Sequence, residues 1–96
     1  MSDEGGEWFF SARRSVQFEP LFDEQIKGLA VDPQWLDDAM NGLDEAISRH
    51  PEIFPHAPGT KVSCARLIVY KDAPALRVFF TYDATVVRVL SVEFEE

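Results

Sequence analysis

A run of β-forming residues near the C-terminus, from Pro74 to Glu93, most constrains the fold of this chain. It contains ALRVFFTY, then DA, then TVVRVLSVE, so two runs rich in Val, Phe, Tyr and Thr are separated by two residues. Because two residues are the length of a tight hairpin turn, the sequence predicts a β-hairpin that turns at Asp83-Ala84. Aspartate tolerates a positive φ at the first turn position, whereas alanine is less suited to the second.

This register places Tyr82 opposite Thr85 and Arg77 opposite Leu90, and side chains then alternate between two faces. The more apolar face is the predicted core, with Leu76, Val78, Phe80, Tyr82, Val87 and Val89. The other face carries Arg77, Phe79, Thr81, Val86, Arg88, Leu90 and Val92. It is the candidate binding face, with Arg77, Phe79, Arg88 and Leu90 as its main residues. Arg77 and Arg88 become diagonal neighbours in this register, close enough to act on one partner.

The length and composition indicate one packed domain. The chain has 96 residues, of which 46% are hydrophobic and 12% aromatic, enough for a single core. Residues 1–7 are small, polar and acidic, so we expect a disordered tail there and a single domain over residues 8–96. Cys64 is the only cysteine, which excludes an intrachain disulfide and is consistent with a reducing, cytoplasmic location. No apolar run approaches the roughly 18 residues that would cross a bilayer.

The charge argues against general attraction to phosphate. Seventeen acidic and 9 basic residues give a formal net charge of −8. We therefore expect weak or no nucleic-acid binding, unless a basic patch is concentrated on one face.

The first half of the chain predicts one strand and two helices. Val16 and Phe18 alternate with polar residues in a half-buried strand pattern, and the C-terminal sheet is the expected partner. The segment from Trp8 to Phe10 either extends this strand or covers a core edge. Pro20 suits the first turn of a short helix that runs to about Leu29.

The longest helix is predicted from Asp32, a good N-cap, to about Arg49, with Pro33 at its first position. Pro51 prevents its continuation. Its expected core stripe is Trp35, Leu36, Ala39, Met40, Leu43, Ala46 and Ile47, and its expected outer face is Asp37, Asp38, Asn41, Asp44, Glu45 and Ser48. Carboxylates on an outer helical face are a solvated surface rather than a catalytic group.

The stretch from His50 to Thr60 contains three prolines and one glycine, which is typical of a loop. We expect Ile53 and Phe54 to hold it against the domain. His50 and His56 are six residues apart with no third ligand nearby, a spacing that matches no common metal site. The sequence thus predicts neither a metal nor a cofactor.

Lys61 to Tyr70 is dense in β-branched and aliphatic residues and predicts a centrally placed strand. The turn that follows, residues 71–75, decides which face Arg66 occupies. The register that places Arg66 with Arg77 is favoured, because the alternative buries a guanidinium. The prediction is a row of Arg66, Arg77 and Arg88 across three strands, accompanied by Tyr70 and Phe79.

The element order, together with LRVFFTY followed by a turn and VVRVLSV, resembles the RelE/ParE superfamily of bacterial type II toxins over roughly residues 15–92. Arg77 falls on the arginine that this family carries in its penultimate strand, and Ser91-Val92 on the end of the last strand. The resemblance implies a β-α-α-β-β-β, α+β fold, with two helices on one face of a small twisted antiparallel sheet. It also implies a concave opposite face, on which the family arginine stabilises charge on a scissile phosphate.

The chain departs from the nuclease members of the family after Val92. Those members continue with a basic stretch and a catalytic tyrosine, whereas this chain ends in Glu93-Phe94-Glu95-Glu96. No lysine matches their basic pair on the preceding strand, where Ile68 and Tyr70 stand.

Three functions remain open from the sequence. The first is a toxin-like module that blocks a macromolecular target and is partnered by an antitoxin peptide. The second is a non-toxic domain that binds a protein or forms a homodimer through the apolar residues Phe79, Val86, Leu90 and Val92. The third is a weak mRNA endoribonuclease that uses Arg66, Arg77 and Arg88 on the phosphate, with Tyr70 as proton donor.

Overall fold

The computed structural model describes residues 13–29, 32–68 and 74–95. The predicted tail, the segment from Trp8 to Phe10 and Tyr70 lie outside these residues. The strands are β1 (Ser15–Phe18), β2 (Ser63–Leu67), β3 (Leu76–Tyr82) and β4 (Val86–Phe94). The helices are α1 (Pro20–Lys27) and α2 (Pro33–Arg49), and a short 3-10 turn covers Pro51–Ile53.

The strands form one sheet in the order β1-β4-β3-β2. The three C-terminal strands are antiparallel, whereas β1 runs parallel to β4, so the sheet is mixed. Both helices pack on one face, where Phe22 of α1 and Leu43 and Ile47 of α2 join the buried sheet residues. The α+β class and the arrangement of the helices are confirmed.

The central position predicted for the strand after the loop is wrong, because β2 lies at an edge of the sheet. The apolar residues that suggested a central strand continue past its end, where Ile68 is 61% exposed. The loop covers part of this edge: the amide of Cys64 donates to the carbonyl of Pro55 (2.8 Å) and that of Ala57 to Val62 (2.9 Å). Such cover protects an edge strand from unwanted pairing.

The β3–β4 hairpin forms as predicted, but its turn lies one residue further along. The amide of Asp83 donates to the carbonyl of Val86 at 2.9 Å, so Ala84 and Thr85 form the loop. The Asp83 carboxylate accepts from the amides of Thr85 and Val86 (2.8 and 2.9 Å), which explains why it precedes the turn rather than entering it. Tyr82 therefore pairs with Val87 rather than with Thr85.

A bulge in β4 then changes which face its last residues occupy. Phe80 pairs with Val89, but Phe79 pairs with Ser91, so Leu90 is an extra residue in β4. An extra residue reverses the alternation beyond it. Val92, predicted on the exposed face, is instead 2% exposed in the core, because the bulge turns this apolar side chain inward.

The predicted core of the hairpin is confirmed for Leu76, Val78, Phe80, Val87 and Val89, each with no exposed area. Tyr82 is the exception, since it is 39% exposed at the rim of the sheet, with Arg14 over its ring at 5.6 Å.

The long helix is confirmed from its cap to its last residue. The Asp32 carboxylate accepts from the amides of Gln34 and Trp35 (2.9 and 3.3 Å), and the helix ends at Arg49. Leu43 and Ile47 are buried, with Leu36 and Met40 packed beside them. Trp35 does not belong to the core stripe: it is 51% exposed, because it lies in the first turn, beyond the edge of the core.

Two further expectations about side chains are wrong. Ser48, expected on the outer face, is fully buried; its hydroxyl donates to the carbonyl of Glu45 (3.0 Å), which satisfies it without solvent. Ile53 is 68% exposed, since the 3-10 turn directs it outward. Phe54 does hold the loop, and its ring meets that of Phe80 edge to face at 5.7 Å.

Candidate functional site

The sheet face opposite the helices is the candidate site. This open face carries Cys64, Arg66, Arg77, Phe79, Thr81, Arg88, Glu93 and Glu95. Its positions follow from strand alternation before the bulge in β4 and from the reversed alternation after it.

Arg66 and Arg77 lie side by side as predicted, because they are direct partners in the β2–β3 ladder. Two like charges directly opposite each other on a sheet are unfavourable unless they are compensated. A carboxylate compensates each of these two positive charges. Glu93 is the cross-strand partner of Arg77 and forms an ion pair with it, and Glu95 Oε1 accepts from Arg66 Nε at 2.6 Å.

These four side chains form a charge quartet, defined as Arg66, Arg77, Glu93 and Glu95, with no net charge. Without the bulge, Val92 would occupy the cross-strand position next to Arg77 that Glu93 occupies. The direct pairing of the acidic end of β4 with the two arginines depends on the bulge.

Arg77 is held more firmly than an ordinary surface arginine. Its guanidinium carbon lies 5.8 Å from the centre of the Phe79 ring, within the range of a cation–π contact. Its Nε is enclosed and has no hydrogen-bond partner among the described residues. The Phe79 ring and the Glu93 carboxylate therefore orient this planar group.

Cys64 lies beside Phe79 in the β2–β3 ladder. Partial burial raises the pKa of its thiol; the nearby Arg77 charge opposes this rise, and Glu93 and Glu95 add to it. Cys64 therefore remains a neutral thiol near neutral pH, which disfavours a nucleophilic role.

Arg88 does not belong to the predicted row. It pairs with Thr81, four residues from Arg77, a separation of about 13 Å along the strand. The prediction that Arg77 and Arg88 are diagonal neighbours is wrong, because the shifted turn moves Arg88 from a position opposite Phe79 to one opposite Thr81. Arg88 donates instead to Gln17 of β1 at 3.3 Å.

The helix side of the sheet contributes one polar contact that the sequence did not predict. Past the end of β1, the backbone amide of Val92 donates to Oε1 of Gln25 in α1 at 2.9 Å. This bond satisfies a donor in the bulged part of β4 that β1 is too short to reach. Gln25 thus supports the segment that carries Glu93.

The described part of the open face provides charged groups that could contact a partner, but few groups suited to proton transfer. It offers two guanidinium groups and two carboxylates, each already paired. Tyr70, the proposed proton donor, lies outside the described residues. Residues 13–29, 32–68 and 74–95 contain no cluster of three His, Cys, Asp or Glu side chains that would hold a metal ion. No helix within them is long and apolar enough to span a membrane.

The element order, the helix-covered sheet and the open face define an α+β fold with two helices on one side of a four-stranded mixed sheet. The structure is similar to that of the YoeB dimer from Staphylococcus aureus, with a TM-score of 0.62 over 88% of this chain and 100% of that chain. The two sequences are 16% identical, so this likeness concerns the fold. No family model and no curated protein matches the sequence.

Proposed function

We propose that this chain is a toxin-like module of a type II toxin–antitoxin system that acts by binding a macromolecular target, without efficient ribonuclease activity. The charge quartet carries the proposal. Arg77 stands where the resemblance places the family arginine. Its charge is compensated by Glu93, and that of Arg66 by Glu95. A phosphate would have to displace both carboxylates, whereas a protein with its own charged groups can exchange partners with them.

The expected partners are an antitoxin peptide and the cellular target, and the expected location is the cytoplasm. Arg77 is the anchor residue of the proposal. It is fixed by Phe79 and Glu93, and anchors of this kind, arginine above all, carry a large share of interface energy.

Inducible expression in a bacterial host tests this function. The full chain should arrest growth, and Arg77→Ala should relieve the arrest by removing the anchor, with little change in melting temperature, since exposed ion pairs contribute about 0–1 kcal/mol. Ribosome-dependent mRNA cleavage should remain at background.

Arg13→Ala is the matched control. Arg13 also pairs with two carboxylates, Asp44 and Glu45, but on the outer side of α2, so the variant should still arrest growth. Growth unaffected by the unaltered chain at equal protein level would contradict the toxin role. Cleavage of mRNA that depends on Arg77 would contradict the absence of ribonuclease activity.

A second candidate is a non-toxic domain that binds a protein or pairs with a copy of itself. Two observations favour it: Phe79, Val86 and Leu90 remain half-exposed, and the similar YoeB was solved as a dimer. Light scattering coupled to size-exclusion chromatography separates the two candidates when it is read with the growth assay. A stable dimer with no growth arrest supports this second function.

A further inference from the structure

We propose that a cavity on the helix side of the sheet, separate from the open face, binds a small organic phosphate. The cavity has a volume of about 330 Å³ and is lined by His56, Thr60, Lys61, Ser63 and Tyr82. This volume is at the lower end of the range of small-molecule sites, about 300–1,000 Å³.

Strand alternation separates this cavity from the charge quartet. Ser63 pairs with Phe80, whose side chain is in the core, and Tyr82 follows Phe80 by two residues. Both side chains therefore point to the helix side, whereas Arg66 and Arg77 point to the open face. The two sites also lie towards opposite ends of β3.

The cavity walls are fixed before any ligand binds. Thr60 donates through its hydroxyl to the carbonyl of Ala57 (2.9 Å) and accepts from the amide of Val62 (3.1 Å). Gly59, at φ 75°, gives the left-handed turn between these residues. A loop fixed in this way loses little conformational freedom on binding, which favours affinity.

The described residues of the lining are rich in hydrogen-bond donors, and none of them carries a carboxylate. Lys61 supplies an ammonium, Ser63 and Tyr82 supply hydroxyls, and His56 supplies a ring N–H. This composition is exceptional in a chain with 17 acidic residues and a net charge of −8. Several donors around one cation match a phosphate group, which presents three strong acceptor oxygens.

Ser63 leaves a hydroxyl available to a ligand. The residue is 3% exposed, lines the cavity, and makes no side-chain hydrogen bond to any other described residue. Its hydroxyl is free to donate to an oxygen atom of a bound ligand. The Tyr82 ring, 39% exposed at the rim, offers an apolar surface to the organic part of the ligand.

Isothermal titration with phenyl phosphate as the probe tests the proposal in a low-salt buffer without phosphate. Phenyl phosphate should bind more tightly than inorganic phosphate, because the ring adds contacts with Tyr82, and phenol should bind weakest. Lys61→Met should reduce affinity for phenyl phosphate about tenfold or more, since it removes a charge-assisted hydrogen bond. Ser63→Ala should reduce it severalfold without unfolding the protein, because this hydroxyl holds no other described group.

Lys27→Met is the matched control, because it removes the same charge from the exposed last turn of α1. Its affinity should stay within about twofold of the unaltered chain, since a distant exposed charge is screened. Equal losses in the two lysine variants would overturn the proposal, and so would the absence of binding at millimolar phenyl phosphate. Amide chemical shifts give the location: changes at Thr60 and Ser63 support the cavity, whereas changes centred on Arg77 and Glu93 refute it.

Discussion

Glu93 and Glu95 determine the charge of the open face, because each of them pairs with one arginine. Exposed ion pairs such as Arg77–Glu93 add little to stability, about 0–1 kcal/mol. Their effect is on the electrostatic potential, because two carboxylates cancel the field of two guanidinium groups where a phosphate would otherwise be attracted. Partial burial raises the pKa of the neighbouring Cys64 thiol, and the same two carboxylates add to that rise.

A substitution at Leu43 tests whether the apolar stripe of α2 packs in the core. The residue is 6% exposed and packs in the central cluster with Phe22 and Ile47. Leu43→Ala should lower the free energy of unfolding by about 2–5 kcal/mol, through lost apolar burial and the cavity that remains. Chemical denaturation measures this loss.

Leu21→Ala provides the comparison at an exposed position of α1. Leu21 is 54% exposed, so the same truncation should change stability by no more than about half a kcal/mol. Equal losses in the two variants would show that α2 does not pack on the sheet as described.

The β3–β4 hairpin is the element on which the site depends. Its turn fixes the register up to Phe80, and its bulge then turns Val92 inward and Glu93 outward. Gln25 of α1 holds the backbone of this segment from the helix side. A hairpin without the bulge would lose Val92 from the core and Glu93 from the open face.

Asp83 is the residue that fixes the turn. Its carboxylate accepts from the amides of Thr85 and Val86 and from the Thr85 hydroxyl (2.8, 2.9 and 3.2 Å). These bonds, led by the one from the Thr85 amide, hold the pKa of Asp83 below its usual range. A lowered pKa means that the carboxylate stabilises the fold above its ordinary pKa, and that this contribution is lost as the pH falls through the folded-state value.

Asp83→Ala should therefore lower the melting temperature at about pH 7, and the difference from the unaltered chain should shrink towards about pH 3. Thermal unfolding followed by circular dichroism measures both values. Asp83→Asn keeps one acceptor oxygen but no charge, so its loss at neutral pH should be smaller than that of the alanine variant. A deficit that is the same at both pH values would contradict the role of the ionised carboxylate.

Elements with local signals were predictable from the sequence, and the details of the site were not. The cap at Asp32, the proline after it and the stripe around Leu43 fix α2, because each acts within a few residues. The alternation in β3 likewise predicts its buried face, and the cost of burying a guanidinium predicts that Arg66 shares the face of Arg77. The bulge at Leu90 interrupts the β3–β4 ladder, but it both buries Val92 and exposes Glu93, a balance that depends on residues from three strands and α1.

For the molecule as a whole, the net charge and the local charges of the open face both disfavour nucleic-acid binding. The chain carries a charge of −8, and the charge quartet adds no positive field on the open face. We therefore expect nucleic acid to be repelled at long range and to find both arginines already paired at short range. We expect weak RNA binding that fades further as salt rises.

The double variant Glu93→Gln/Glu95→Gln should reverse this short-range effect. It frees Arg66 and Arg77 to contact two phosphates, so affinity for single-stranded RNA should rise, and the slope of log affinity against log salt should steepen by about 1.4. Fluorescence anisotropy with a labelled oligonucleotide over a range of salt concentrations measures both quantities. Asp37→Asn/Asp38→Asn removes the same charge from the exposed face of α2, where the slope should not change. If both double variants tighten binding equally with unchanged slopes, net charge alone excludes RNA, and the pairing of Glu93 and Glu95 with the arginines plays no part.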